Sequence, residues 1–294
     1  MRLHLVDGTF ELFRAHYGKR PDHHGPDGQD LKATLGVVSS ILALFDDPDE
    51  RATHIAVAFD NPIESFRNEM FDGYKTGEGM EPVLVAQMGP VEEAVRAAGV
   101  VVWSMDRWEA DDALATGARR WAEQVEQVRI MTPDKDLGQC LQGDRVVQVD
   151  RIRRRVIDEA AVRERRGVGP ASIPDYLALV GDTADGIPGL PGFGEKGTAA
   201  LLGEYEHIER IPADTAAWAV KPRGAAKLAA TLAERREDAL LYRRLATLAY
   251  DVPLEETLED LEWRGAPRQK FLAWCDRVGA RNLRQRPSRW RDEG

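Results

Sequence analysis

"VRIMTPDKD", residues 128–136, is an apolar run that stops abruptly at a proline and two aspartates. Its length and its Val, Ile and Met content read as a buried strand. Two other runs have the same form. "RLHLV" (2–6) stops at Asp7 and "HIAVAF" (54–59) stops at Asp60. Helical patterns fill residues 31–44, 83–98 and 110–121, and a further strand is expected at 100–103. Strands alternating with helices predict an α/β fold, with a mainly parallel twisted sheet flanked by helices. Ligands of such sheets bind outside the carboxyl ends of the strands, so three strands deliver acids to that crevice.

Strand patterns cease after about residue 156. The remainder reads as helical, with breaks at 167–170, 179–202 and 221–224. The expected division is an α/β catalytic core at 1–160 and a helical half at 161–294. Within the core, the polar, glycine-rich stretch 72–80 reads as a mobile loop.

The 294 residues carry two cysteines, Cys140 and Cys275, far apart and without metal-ligand spacing. They read as reduced, buried thiols of a cytoplasmic protein. No apolar run reaches membrane-spanning length, and an aspartate at position 7 argues against a signal peptide. The formal net charge of −10 argues, taken alone, against nucleic acid. Its distribution argues otherwise. Arginine runs lie at 151–166 and 277–291, and the acids gather in motifs.

"WEADDALA" adds Glu109, Asp111 and Asp112 at a helix start, where Glu109 and Asp112 can share a face. Asp134 and Asp136 follow the opening strand, and "GDTADG" supplies Asp182 and Asp185. Each has an ordinary alternative reading, since an aspartate after a strand commonly caps a turn or a helix. Nine carboxylates in one crevice would nevertheless repel strongly without a cation. With no His or Cys in these motifs, the set suits hard ions, Mg²⁺ or Mn²⁺. Two such ions form the usual clamp for in-line attack on a phosphodiester. Setting the nine acids aside leaves the rest of the chain near neutral, which weakens the objection to DNA.

"GLPGFGEKGTAALL" (189–202) begins a helix near Glu195. Gly192 and Gly194 would let backbone N–H groups approach a phosphate at the positive end of that helix, with Lys196 adding charge. A simple packing turn between helices is the alternative.

Taken in order, these stretches resemble the 5′-nuclease superfamily, which includes flap endonucleases and the 5′-3′ exonuclease domain of bacterial DNA polymerase I. The resemblance is carried by "LVDG" at Asp7, "AVAFD" at Asp60, "FRNEMFDGYK" (66–75), "EADD" at Glu109, "TPDKDL" at Asp134 and "DYLALVGDTADGIPGLPGFGEK" (175–196). "LLYRRLATLAYDVPLEETLEDLEW" (240–263) is similar to the segment that closes that domain. The resemblance implies that Glu109, Asp111, Asp112 and Asp134 serve mainly one divalent ion. Asp136, Asp182 and Asp185 would serve the other, and Asp7 and Asp60 would complete the floor. It implies that Lys75 stabilises charge on the scissile phosphate, with Arg67 as a second cation. It places Gly189, Gly192, Gly194 and Lys196 (turn 186–197) in a helix–hairpin–helix-type duplex-binding element, which in the family often holds K⁺. Residues about 68–96 would form the arch over the 5′ end. The resemblance is expected to be to the stand-alone exonucleases, in which no polymerase domain follows.

The sequence departs from the family at several points. Thr76, Gly77, Glu78 and Gly79 follow Tyr74–Lys75 where the family often has an arginine. No Lys or Arg occurs from 76 to 95. Pro133 replaces a usual glycine, and Ala184–Asp185–Gly186 replaces Ser-Asp-Asn. The expectation is a Mg²⁺- or Mn²⁺-dependent 5′-3′ exonuclease or flap endonuclease on duplex or branched DNA with 5′ ends, coupled in function to a separate polymerase and ligase. A metal-dependent RNase, or a DNA-structure-binding protein of little activity, is the alternative.

Overall fold

The computed structural model describes residues 1–291; the last three residues of the expected helical half lie outside them. In chain order the elements are β1 (Arg2–Asp7), α1 (Gly8–Tyr17), α2 (Lys32–Asp46), β2 (His54–Asp60), α3 (Pro82–Val85), α4 (Met88–Ala97), β3 (Val101–Met105), α5 (Ala110–Trp121) and β4 (Gln127–Met131). There follow β5 (Val146–Asp150), β6 (Arg155–Ile157), α6 (Glu159–Arg166), α7 (Ile173–Val180), α8 (Glu195–Tyr205), α9 (Ala225–Glu234), α10 (Arg236–Ala246), β7 (Ala266–Pro267), α11 (Arg268–Arg277) and β8 (Trp290–Arg291). They form two compact units that are not contiguous in sequence. The first comprises Met1–Glu64, Gly77–Thr132 and Tyr250–Gly294, and the second Ser65–Thr76 and Pro133–Ala249.

The first unit holds a parallel sheet. β1 pairs with β2 on one side and β4 on the other, and β2 pairs with β3. Leu3, Leu5, Val6, Ile55, Val57, Val128 and Ile130 are all buried. Strands covered on both faces need apolar residues throughout, which explains the unbroken runs in place of alternation. α5 packs on all four strands. Its Trp121 stacks on Trp103 of β3 at 6.1 Å between centroids, a pairing worth about 1 kcal/mol beyond its buried area. The chain leaves β1 for β2 and β3, then returns past β1 to β4. The strand order therefore reverses between β1 and β4, and a ligand crevice belongs at their carboxyl ends.

Two departures from the sequence reading have local causes. The helix expected over 83–98 is two, α3 and α4, because Pro90 is tolerated only in a first turn and the helix restarts at Met88. An unexpected helix, α1, follows β1 directly, with the Asp7 carboxylate accepting from Phe10 N as its N-cap. The stretch 72–80 forms turns, as its glycines require. Both cysteines are buried and unbridged, and burial pushes the Cys275 thiol up to about 11.

The second unit has an antiparallel hairpin, β5–β6, and a helical body. Leu177, Leu179, Leu201, Leu202, Ile208, Trp218, Tyr242 and Leu245 form its core, with α7 packed on α10. Beyond Ile157 the described residues contain only the two-residue strands β7 and β8.

Candidate active site

In the first unit, five of the expected acids sit at helix starts. Asp7 accepts from Phe10 N at 2.8 Å and from the Thr132 hydroxyl at 3.0 Å, so it joins the ends of β1 and β4 at the point where strand order reverses. Asp60 ends β2 and accepts from Ala110 N, the first residue of α5, at 2.8 Å. Thr9 Oγ1 accepts from Asp60 N at 2.9 Å. Glu109 and Asp112 form a reciprocal capping box, with Asp112 accepting from Glu109 N at 3.0 Å. Both are buried and Asp111 is half-buried. The ordinary capping role of an acid after a strand is thus real here. It also holds the Asp7, Asp60, Glu109 and Asp112 carboxylates at positive helix ends.

The second unit brings Asp136, Asp182 and Asp185 together. Each offers an oxygen, and these atoms lie within 4.8 Å of one another. Asp136 opens a 3₁₀ turn after "TPDK", and Asp134 Oδ1 accepts from its backbone N at 2.8 Å. Asp182 and Asp185 lie on a tight loop after α7. Paired backbone hydrogen bonds of 2.8 Å between Asp182 and Ile187 close this loop, and Ala184 N donates to Asp182 Oδ1 at 3.1 Å. Gly181 and Gly186 supply the positive φ angles at its ends.

Burial, and repulsion from Asp134 next, hold the Asp136 carboxyl well above the usual range. Asp136 Oδ1 is buried and has no hydrogen-bond partner. An all-oxygen trio with an unpartnered buried lone pair fits a hard divalent ion, which supplies the missing charge.

Two lysines meet this trio. Lys75 Nζ lies 2.9 Å from Asp185 Oδ1, and Lys75 N donates to Asp185 O at 3.0 Å. The loop carrying Lys75 packs so tightly on the acidic loop that a Cβ on Gly186 would sit 2.1 Å from Gly73 O. Asn68 fastens its other side, donating from Nδ2 to Lys75 O at 2.9 Å. Lys135 pairs with Asp182 and lies 3.5 Å from Asp136 Oδ1. Partial burial opposes its charge, but Asp136, Asp182 and Asp134 together raise the ammonium above its usual range. The sequence reading missed Lys135, Asn68 and Thr132. Only Lys135 left a trace in the sequence, as the cation between two acids in "DKD".

Burial bears on two of the expected roles. Arg67 is 1% exposed and donates to the carbonyls of Leu245 at 2.8 Å and Thr247 at 2.9 Å. It satisfies carbonyls at the end of α10, a structural demand that competes with a role toward phosphate. Gly189 is set by packing within the unit: its φ is +70°, and a Cβ would lie 2.6 Å from Gly181 N and Val180 C. Gly194 differs. Its φ is −101° and no atom approaches within 4 Å of a Cβ there, so nothing inside the protein demands glycine. Gly192, Gly194 and Lys196 are exposed, and α8 begins without a side-chain cap.

Comparison with known proteins agrees with this picture. A family model described as "5'-3' exonuclease, N-terminal resolvase-like domain" matches residues 2–167, and one described as "5'-3' exonuclease, C-terminal SAM fold" matches 168–269. DNA polymerase I of Bacillus caldotenax is 33% identical over 95% of this chain, and that of Pseudomonas aeruginosa 36% identical over 91%. The chain spans 31% and 29% of their lengths, about a third of each. Two solved structures share the fold. The bacteriophage T5 D15 flap endonuclease, in a pseudo-enzyme–product complex with DNA and metal ions, has TM-score 0.63 at 19% identity, covering 84% of this chain and 89% of that one. Human GEN1 in complex with Holliday junction DNA has TM-score 0.55 at 11% identity, covering 95% and 68%.

Proposed function

The chain belongs to the 5′-3′ exonuclease family, and from that premise we propose that it is a metal-dependent phosphodiesterase acting at 5′ ends, nicks and short flaps of duplex DNA. The observation that carries this reading is the Asp136–Asp182–Asp185 trio, with a buried oxygen that accepts no hydrogen bond. Mg²⁺ or Mn²⁺ there would supply Lewis-acid charge to a phosphodiester. Asp134, Glu109, Asp111 and Asp112 would serve a second ion, with Asp7 and Asp60 supporting them. Lys75, aimed by its loop's docking on the acidic loop, offsets charge developing on the phosphate. Gly192, Gly194 and Lys196 hold a duplex phosphate without reading sequence, with K⁺ at the same turn. The products, duplexes with cleared 5′ ends, suit a polymerase and ligase acting in the cytoplasm. No described helix is long and apolar enough to cross a membrane.

Substrate preference follows from charge. Lys75 is the only cation between residues 68 and 95, against Glu69, Asp72, Glu78, Glu81, Glu92 and Glu93. Arg96 pairs with Glu92 at 3.1 Å, Arg277 with Glu93 at 2.6 Å and His16 with Glu81 at 3.2 Å. An acidic excess of this kind opposes a long single strand, and such fields change on-rates by about 10-fold or more. The test compares 5′-labelled nicked duplexes, flaps of increasing length and single-stranded RNA at fixed ionic strength, with Mg²⁺ or with chelator. Metal-dependent cleavage that falls with flap length is expected. Preferred cleavage of the RNA would establish the ribonuclease instead. DNA binding without cleavage would leave a structure-binding protein.

A further inference from the structure

Lys135 has no role in the hydrolysis just described, yet it reaches into its centre. Its ammonium pairs with Asp182 and stands 3.5 Å from Asp136 Oδ1. It therefore touches two of the three carboxylates whose oxygens lie within 4.8 Å of one another. Its position in sequence leaves it little choice. It lies between Asp134 and Asp136, and Asp134 accepts from Asp136 N across it. The Lys135 side chain is 35% exposed, whereas those of Asp136 and Asp182 are 8% and 4% exposed. A cation that can swing to solvent thus sits on two acids that cannot.

We propose that Lys135 is a tethered counter-ion of the Asp136–Asp182–Asp185 site, holding the acids together without metal and competing with the divalent cation for them. The proposal rests on the reading of this trio as a metal site and assigns a regulator to it. Three desolvated carboxylates this close repel one another. Lys75, 2.9 Å from Asp185, and Lys135 offset that repulsion from two sides. A divalent ion entering the trio meets the Lys135 charge at short range, where repulsion is strong. The ammonium must therefore turn outward, and its flexible four-carbon stem permits this. Affinity is lowered by that competition, and the acids remain ordered between turnovers.

The test is Mn²⁺ binding, followed by calorimetry and by thermal unfolding of the full chain, with no nuclease assay needed. Lys135→Met keeps the stem and removes the charge, and Lys135→Arg keeps the charge. Lys135→Met is expected to bind Mn²⁺ more tightly in one class of site, on the order of 10-fold, as loss of a neighbouring positive charge requires. It should also melt lower than wild type without metal, and that deficit should close on saturation with Mn²⁺. Lys135→Arg should stay close to wild type in both respects. Unchanged or weaker Mn²⁺ binding by Lys135→Met overturns the proposal, as does a melting deficit that persists at saturating Mn²⁺, the mark of a merely structural lysine. Asp182→Asn separates the two readings. If its Mn²⁺ binding matches wild type, the trio is not the metal site and both fall. If binding is lost there yet Lys135→Met matches wild type, only the competition fails.

Discussion

Two cations in one motif have opposite fates. Lys75 and Arg67 both belong to "FRNEMFDGYK", and the sequence alone gives no reason to separate them. The structure does so by burial. The partly exposed Lys75 side chain reaches Asp185, whereas the buried Arg67 donates to the carbonyls of Leu245 and Thr247. Lys75→Ala should therefore lower the cleavage rate by about 100-fold, comparable to losing one preorganised charge-stabilising donor, with the melting temperature nearly unchanged once the trio is saturated with Mg²⁺. Arg67→Met should do the reverse. It leaves two carbonyls unpaired, at a cost of about 2–4 kcal/mol of stability, while protein that remains folded keeps most of its rate. Single-turnover kinetics beside denaturant titration of both variants checks the pair. A stable, inactive Arg67→Met would return that residue to the chemistry.

The elements that carry the candidate site acids were the most legible in the sequence. Strand runs that end in acids located β1, β2 and β4, because a doubly covered parallel strand must be apolar along its length. The helix at Glu195 was legible from its glycines. α1 was hidden because Asp7 can be read either as a ligand or as a cap, and it does cap. The glycines of the turn were not equivalent, and sequence could not rank them, since only the packed loop shows which Cβ would collide. Gly189 answers to the backbone at the end of α7, and Gly192 to a φ of +89°. Gly194 answers to nothing within the protein. Gly194→Ala should leave folding stability within about 0.5 kcal/mol, the usual range for a surface change. It should weaken binding to all duplex sequences alike, because a backbone contact carries no sequence information. Filter binding across unrelated duplexes measures this. Unaltered affinity would leave α8 as a packing helix only.

Across the molecule, acidic composition concealed two different uses of charge. The site acids were visible because they recur at strand ends, but the buried ion network in the first unit was not. There His4 and Arg129 converge on Glu50. Arg129 Nε lies 2.7 Å from Glu50 Oε2 and Nη2 3.0 Å from Oε1, with His4 Nε2 at 3.1 Å. Burial would raise the Glu50 carboxyl, but hydrogen bonds from His4 and Arg129 outweigh it and draw it from 4.5 down to about 2. Burial also lowers His4 from 6.5. The signs agree. A lowered His pKa loses stability as pH falls below 6.5, and a lowered Glu pKa loses it between 4.5 and about 2. The Glu50 part corresponds to about 3 kcal/mol at neutral pH. Glu50→Gln should be less stable than wild type by up to that amount at pH 7, and the gap should narrow by pH 3 in urea titrations. A gap independent of pH would mean that packing, not charge, is what the substitution removes.

The central claim is that the Asp136–Asp182–Asp185 trio holds a divalent ion used to cut DNA at 5′ ends. Its most direct test is Asp182→Asn, assayed for Mg²⁺-dependent release from a 5′-labelled nicked duplex beside binding of the same duplex. Asparagine keeps the oxygen that accepts from Ala184 N at 3.1 Å, so the loop should survive while one ligand charge is lost. The account predicts a rate at least about 100-fold lower, partial recovery at higher Mg²⁺, and duplex binding equal to or tighter than wild type. Near-normal turnover with unchanged Mg²⁺ dependence would contradict it.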